Sequence, residues 1–240
     1  MKNLKLILIA SLCSGVVACS GQLNTLDEVA SQGATEQEIN APVPGESLPA
    51  DDGVAPEGSQ ANYSFPQWRS AYGISETIYN RVRDYYNSNY SRFTNHQYVV
   101  IIDMGLHSSA KRFTLINLAN GSYERHNVAH GSGSDPDADG WLNSFSNVNG
   151  SKKTSVGYYK TLSTYVGSHG RSLRLDGLSS TNSNALSRAI VVHGASYVSD
   201  SASRAGRSWG CPALADNVAQ GVIDKIKGGA LLVIASSRAL

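Results

Sequence analysis

Cysteine is scarce in this chain of 240 residues, with Cys13, Cys19 and Cys211 the only three. Neither a Cys-x-x-Cys nor a His-Glu-x-x-His pattern occurs, so the usual ligand spacings of a zinc site are missing and no metal is expected. Gly131 and Gly133 lie close together, but the rest of a phosphate-binding glycine loop is absent. No apolar run reaches the roughly twenty residues that a membrane-crossing helix requires, and no internal repeat is visible. Basic residues are missing altogether between positions 20 and 60. That stretch carries Asp27, Glu28, Glu36, Glu38, Glu46, Asp51, Asp52 and Glu57, and it is broken by Pro42, Pro44, Pro49 and Pro56. A segment so acidic and so poor in aromatics cannot bury enough surface to order itself, which predicts a flexible tether.

What is present begins with a basic start, Met1-Lys2-Asn3-Leu4-Lys5, then the apolar run Leu6 to Ala10 and small or apolar residues up to Ala18. That order reads as an export signal, removed on secretion. Val16-Val17-Ala18-Cys19 resembles the lipobox of bacterial lipoproteins, whose cysteine is lipidated and becomes the new N-terminus. Cys13 follows Leu12 rather than a small residue, so Cys19 is the lipidation candidate; plain secretion with a cut nearby is the other reading. In the families this motif resembles, a residue other than aspartate after the cysteine, here Ser20, implies sorting to the outer membrane. The expected division is a signal peptide over 1–18, an acidic tether over 19–62 and one catalytic domain over 63–240, facing the periplasm and tied to a membrane by its N-terminal lipid.

Beyond residue 60 the balance reverses to eighteen Lys and Arg against eleven Asp and Glu. Such an excess suits an acidic polymer such as peptidoglycan, or is merely a solvated face; export argues against nucleic acid as a partner. Ile78, Val82 and Tyr85-Tyr86 recur at helical spacing behind Ser75, which predicts an N-capped helix over 75–89. Strands are expected over 97–103, 112–118, 123–130, 154–161, 172–175, 189–193 and 230–235, with Asn120-Gly121 as a hairpin turn. The Gly-, Ser-, Asp- and Asn-rich stretch 131–153 reads as a long loop. Leu214, Val218, Val222, Ile223 and Ile226 mark one face of a second helix, stopped by Gly228-Gly229. The fold class expected is mainly β (α+β) with two helices.

If Cys13 leaves with the signal and Cys19 carries lipid, Cys211 is the one thiol of the mature domain, an unpaired cysteine in an oxidising compartment. It sits in Arg207-Ser208-Trp209-Gly210-Cys211-Pro212, a tight turn ahead of the second helix. A second segment, Ile190-Val191-Val192-His193-Gly194, ends a buried strand in a histidine. A thiolate needs a base or a positive field to form at neutral pH, and His193 is placed to supply it as an ion pair or as a proton acceptor. Gly210 leaves room for a substrate carbonyl to approach the backbone. Pro212 has no N–H, so oxyanion donors must come from Trp209, Gly210 and Cys211. Taken singly, each residue also has a bland reading: a small core cysteine and a satisfied strand-end histidine.

His193-Gly194 and, with seventeen residues between His193 and it, Cys211 within Ser208-Trp209-Gly210-Cys211 resemble the signature of the L,D-transpeptidase (YkuD-like) family, in its murein L,D-transpeptidase catalytic-domain branch. Similar segments precede it: Val128 to Ser134, Phe145-Ser146-Asn147, Thr154 to Tyr159, and Gly167-Ser168-His169-Gly170-Arg171-Ser172-Leu173. The resemblance covers about residues 70 to 235. It implies a β-sandwich-like domain, needing no cofactor, that acts on peptidoglycan stem peptides. The cysteine attacks the amide between an L-centre and a D-residue, D-alanine leaves, and an amine of a second stem resolves the acyl-enzyme into a 3-3 crosslink. Carried over by position, Cys211 is nucleophile, His193 proton acceptor and donor, and the Gly194 carbonyl orients the ring. The commoner motif has histidine before Gly-Cys, where this chain has Trp209, which makes Trp209 a wall for the substrate. Ser208 and Arg207 are read as substrate contacts, Arg207 toward a stem carboxylate, or as braces of the loop. His130 and His169 line the cleft in this reading or serve the fold. The alternatives are hydrolysis of the same acyl-enzyme, giving an L,D-carboxypeptidase or amidase, and a non-enzymatic wall-binding lipoprotein.

Overall fold

A computed structural model describes residues 64–201 and 205–238; the expected signal peptide, Cys19 and the acidic tether lie outside them. Among the described residues no helix is long and apolar enough to cross a membrane. The Ser75 side chain accepts a hydrogen bond from the Ile78 N–H at 3.3 Å and so starts helix α1 (Glu76–Ser88), as the spacing predicts. Strands β1 (Tyr98–Asp103), β2 (Phe113–Asn117) and β3 (Tyr123–His126) follow as an antiparallel meander. Then come β4 (His130–Gly131), the long β5 (Gly157–Gly167) and β6 (Gly170–Gly177), β7 (Val191–Gly194), β8 (Arg207–Ser208) and β9 (Ala213–Leu214). Helix α2 (Asp216–Ile226) and β10 (Leu231–Ala235) close the sequence of elements. The result is mainly β with two helices, as expected.

Eight strands make one sheet in the order β3-β2-β1-β10-β5-β6-β7-β9, and β4 pairs with β8 apart from it. The centre is the parallel pair of β1 and β10, with Val99 opposite Leu231 and Ile101 opposite Val233. Successive strand residues point to opposite faces. Val100, Ile102, Leu232 and Ile234 therefore pack with Val222, Ile223 and Ile226 of α2, while Val99, Ile101, Leu231 and Val233 pack with Ile78, Tyr79, Val82 and Tyr86 of α1. A strand covered on both faces has no polar side to show, which is why both segments read as unbroken apolar runs.

Three differences from the sequence expectation have local causes. β3 stops at His126, not 130, because the Asn127 N–H is donated to the Asp200 carboxylate instead of a neighbouring strand. The runs expected at 154–161 and 172–175 are parts of one long hairpin, β5–β6, whose outer half carries Ser163, Thr164 and Ser168 and a register shift between Thr161 and Thr164. Its polar outer half hides the strand period. β8 and β9 are two residues each, too short for any period to show.

Candidate active site

β7 and β9 run parallel, with His193 opposite Ala213 and Gly194 opposite Leu214. The residues between the two motifs thus make an excursion that returns Cys211 alongside the strand ending in His193. The Cys211 thiol donates to the Ala189 carbonyl at 3.6 Å. Burial pushes that thiol up from its ordinary value, opposed by a hydrogen bond from the Val191 backbone and by the charge of Arg188. His193 is only 2% exposed. Its Nδ1 lies 2.8 Å from the Gly194 carbonyl. A carbonyl can only accept, so Nδ1 carries the proton and Nε2 is left as the basic nitrogen. Burial first, and then the neighbouring His169, push the imidazole down to about 4, against the pull of the Gly194 carbonyl. At neutral pH the pair therefore rests as thiol and neutral imidazole, a proton acceptor and not a preformed ion pair.

The turn that carries the cysteine is tied by its own side chains. Ser208 Oγ donates to the Cys211 carbonyl at 2.6 Å and accepts from the Gly210 N–H at 3.1 Å. Gly210 has φ 124°, and a Cβ there would lie 2.8 Å from the Lys153 carbonyl. Only glycine adopts that backbone without strain, and only glycine leaves the loop 151–153 its place. The Gly210 N–H already has an acceptor, and of the two readings of Ser208 its contacts display the brace of the turn. Arg207 donates through Nη1 to the Asp135 carbonyl, a bracing contact. Trp209 is 46% exposed with the Lys152 ammonium 4.1 Å from its ring centroid.

His130 requires a correction. It is fully buried, accepts from Arg112 Nη2 through Nδ1 at 2.7 Å and faces Asp135 Oδ2 with Nε2 at 3.0 Å. No substrate reaches it; it belongs to a buried cluster beneath β4 and β8. Asp135, Asp137 and Asp139 bring carboxylate oxygens within 4.8 Å of one another. Asp135 already accepts from His130 and from the Asp139 and Gly140 N–H groups.

Three residues neighbour the pair: His169, which the sequence reading placed in the cleft or in the fold, and Asp216 and Arg188, which sequence reasoning missed. The ring of His169, in the turn between β5 and β6, stacks on His193 with centroids 4.3 Å apart and 22° between planes. Asp216, the first residue of α2, packs at Gly194, where a Cβ would lie 2.6 Å from its Oδ1. Arg188 donates to the carbonyls of Ser146 at 2.8 Å and Lys153 at 2.6 Å, joining the long loop to the start of β7. The family-like run Gly167 to Leu173 was the signal for His169; for Asp216 and Arg188 the sequence carries none.

No curated protein matches this chain. Among solved structures, an L,D-transpeptidase from Mycobacterium smegmatis shares 12% identity, covering 58% of this chain and 59% of that one with a TM-score of 0.38. L,D-transpeptidase 3 from Mycobacterium tuberculosis shares 14%, covering 58% of this chain and 61% of that one with a TM-score of 0.37. The chain spans about three fifths of the length of these structures. Residues 70–235 match the family model of the L,D-transpeptidase catalytic domain, well over half of the sequence. The chain belongs to the L,D-transpeptidase catalytic-domain family.

Proposed function

We propose that the protein is a peptidoglycan L,D-transpeptidase that forms 3-3 crosslinks through a cysteinyl acyl-enzyme. The observation that carries this reading is the return of Cys211 alongside the strand that presents His193, with the ring's Nδ1–H held by the Gly194 carbonyl. In the first step the Cys211 proton passes to His193 Nε2 as sulfur bonds to the stem carbonyl carbon. The Cys211 N–H, with that of Trp209, stabilises the oxyanion. His193 then returns the proton to the leaving D-alanine nitrogen as the C–N bond breaks. An amine of a second stem attacks the thioester, gives its proton to His193 and releases the thiol. Neutral His193 is the working form, and with its imidazole held down to about 4 the base is available throughout the neutral range.

The test is incubation of the full chain, purified in detergent, with tetrapeptide muropeptides and mass spectrometry of the products. D-alanine loss coupled to dimer formation is expected, and neither in Cys211→Ser or His193→Ala. D-alanine release without dimers would instead mark an L,D-carboxypeptidase, and turnover of no muropeptide would refute the enzyme reading. We also propose that Cys19 carries a lipid that anchors the domain to the outer membrane, facing the periplasm. The sequence Val16-Val17-Ala18-Cys19 supports this, and Cys19→Ala is expected to move the protein from the membrane to the soluble fraction.

A further inference from the structure

We propose that His169 is a positioning residue for the base: its ring, carried on the tip of the β5–β6 hairpin, covers one face of the His193 imidazole and keeps it dry and aligned until the thiol proton is transferred. The inference rests on the reading of Cys211 and His193 as nucleophile and base. Two observations lead to it. The stack is close, with ring centroids 4.3 Å apart and 22° between planes, and it joins residues 24 positions apart on different elements. The ring of Trp209, two residues before the thiol, is turned outward beneath Lys152, so the flat neighbour of His193 comes from another element of the fold.

The surroundings explain what this ring does. A single hydrogen bond from Nδ1 to the Gly194 carbonyl fixes the edge of His193 but not the tilt of its plane. A flat neighbour on the ring face removes that freedom. It also covers the ring from water, which weakens the hydration of the charged form. His169 is itself pushed down by burial and pulled up by Asp216, so it too is neutral at pH 7. Asp216 from α2 acts on His169, and Tyr165 from β5 and Arg188 ahead of β7 interact with Cys211. Tyr165 is pushed up by burial and then by Cys211. Arg171 on β6 is turned away to Asp224 of α2, at 2.7 Å.

The experiment compares the full chain, His169→Ala and His169→Phe in detergent. The titration of His193 is followed by the NMR shift of its ring Cε1–H, and turnover of tetrapeptide muropeptides is followed alongside. In His169→Ala the His193 midpoint is expected to rise by about one pH unit or more toward the ordinary histidine value. Its kcat is expected to fall about tenfold with KM little changed, as for a group acting on the base and not on substrate binding. His169→Phe keeps a flat ring but cannot titrate, and it should restore both values most of the way. A His193 midpoint unchanged in folded His169→Ala would overturn the proposal, and so would a His169→Phe variant as impaired as alanine. A wild-type chain that turns over no stem peptide sinks the enzyme reading instead, and leaves the His193 titration to judge the stack.

Discussion

His130 and His193 are both buried and both held neutral, yet in opposite tautomers. Arg112 can only donate, so His130 Nδ1 must accept and its proton sits on Nε2, facing Asp135. The Gly194 carbonyl can only accept, so the proton of His193 sits on Nδ1 and Nε2 is free for chemistry. Both ring nitrogens of His130 face partners, whereas His193 keeps Nε2 for the proton transfer proposed above. Both are pushed down to about 4, burial being the largest cause in each case, with the Arg112 charge next for His130. Between that value and the ordinary 6.5 the unfolded chain binds protons that the native one refuses. Stability should therefore be full above about pH 6.5 and fall as the pH drops toward 4, by a few kcal/mol in all. Urea unfolding at pH 7 and pH 5 reads this directly, and a midpoint independent of pH would contradict it. His130→Leu strands the Arg112 guanidinium and the Asp135 carboxylate without a shared partner, and should cost about 2–4 kcal/mol in the same assay at pH 7.

At the scale of elements, the catalytic turn is held by backbone geometry that a side chain would spoil. Gly210→Ala places a methyl at φ 124° and against the Lys153 carbonyl. Muropeptide turnover should drop at least tenfold while the circular dichroism spectrum stays native, since the strain is local to the turn. By contrast Ser75→Ala, which removes the cap of α1 far from the site, should lower stability by about 1 kcal/mol and leave turnover alone. These elements also show what the sequence made legible. α1, α2, β1, β2 and β10 are periodic or continuously apolar over five residues or more and stand where expected, except that Leu214, read as the first residue on the α2 face, belongs to β9 and the helix begins at Asp216. Cys211 and His193 stood out because a lone thiol and a strand-end histidine share a recognisable spacing. His169 was legible only as a residue of a family-like segment, and Asp216 not at all, because a hairpin tip and a helix start meet near β7 only in the folded chain. His130 misled for the complementary reason: it lies in a family-like segment, but its Arg112 partner lies on the neighbouring β2 side of the fold, 18 positions away.

For the whole molecule, the excess of Lys and Arg after residue 60 predicts that sacculi retain the protein through many weak charge contacts. Retention in a pull-down with isolated sacculi should decline steadily as sodium chloride is raised from 50 to about 500 mM, as screening shortens the reach of each charge. Retention that ignores salt would mean that the charge is only a solvated face. A last consequence concerns timing. β10 lies between β1 and β5 in the sheet but follows every other strand in the sequence, and it alone joins the β1–β3 side to the β5–β9 side. Until β10 arrives, each half exposes a long apolar edge with no partner, and neither α1 nor α2 has a complete floor to rest on. Closure of the sheet must therefore wait for residue 235, so a chain that emerges from its N-terminal end stays open along its middle until nearly all of it is present.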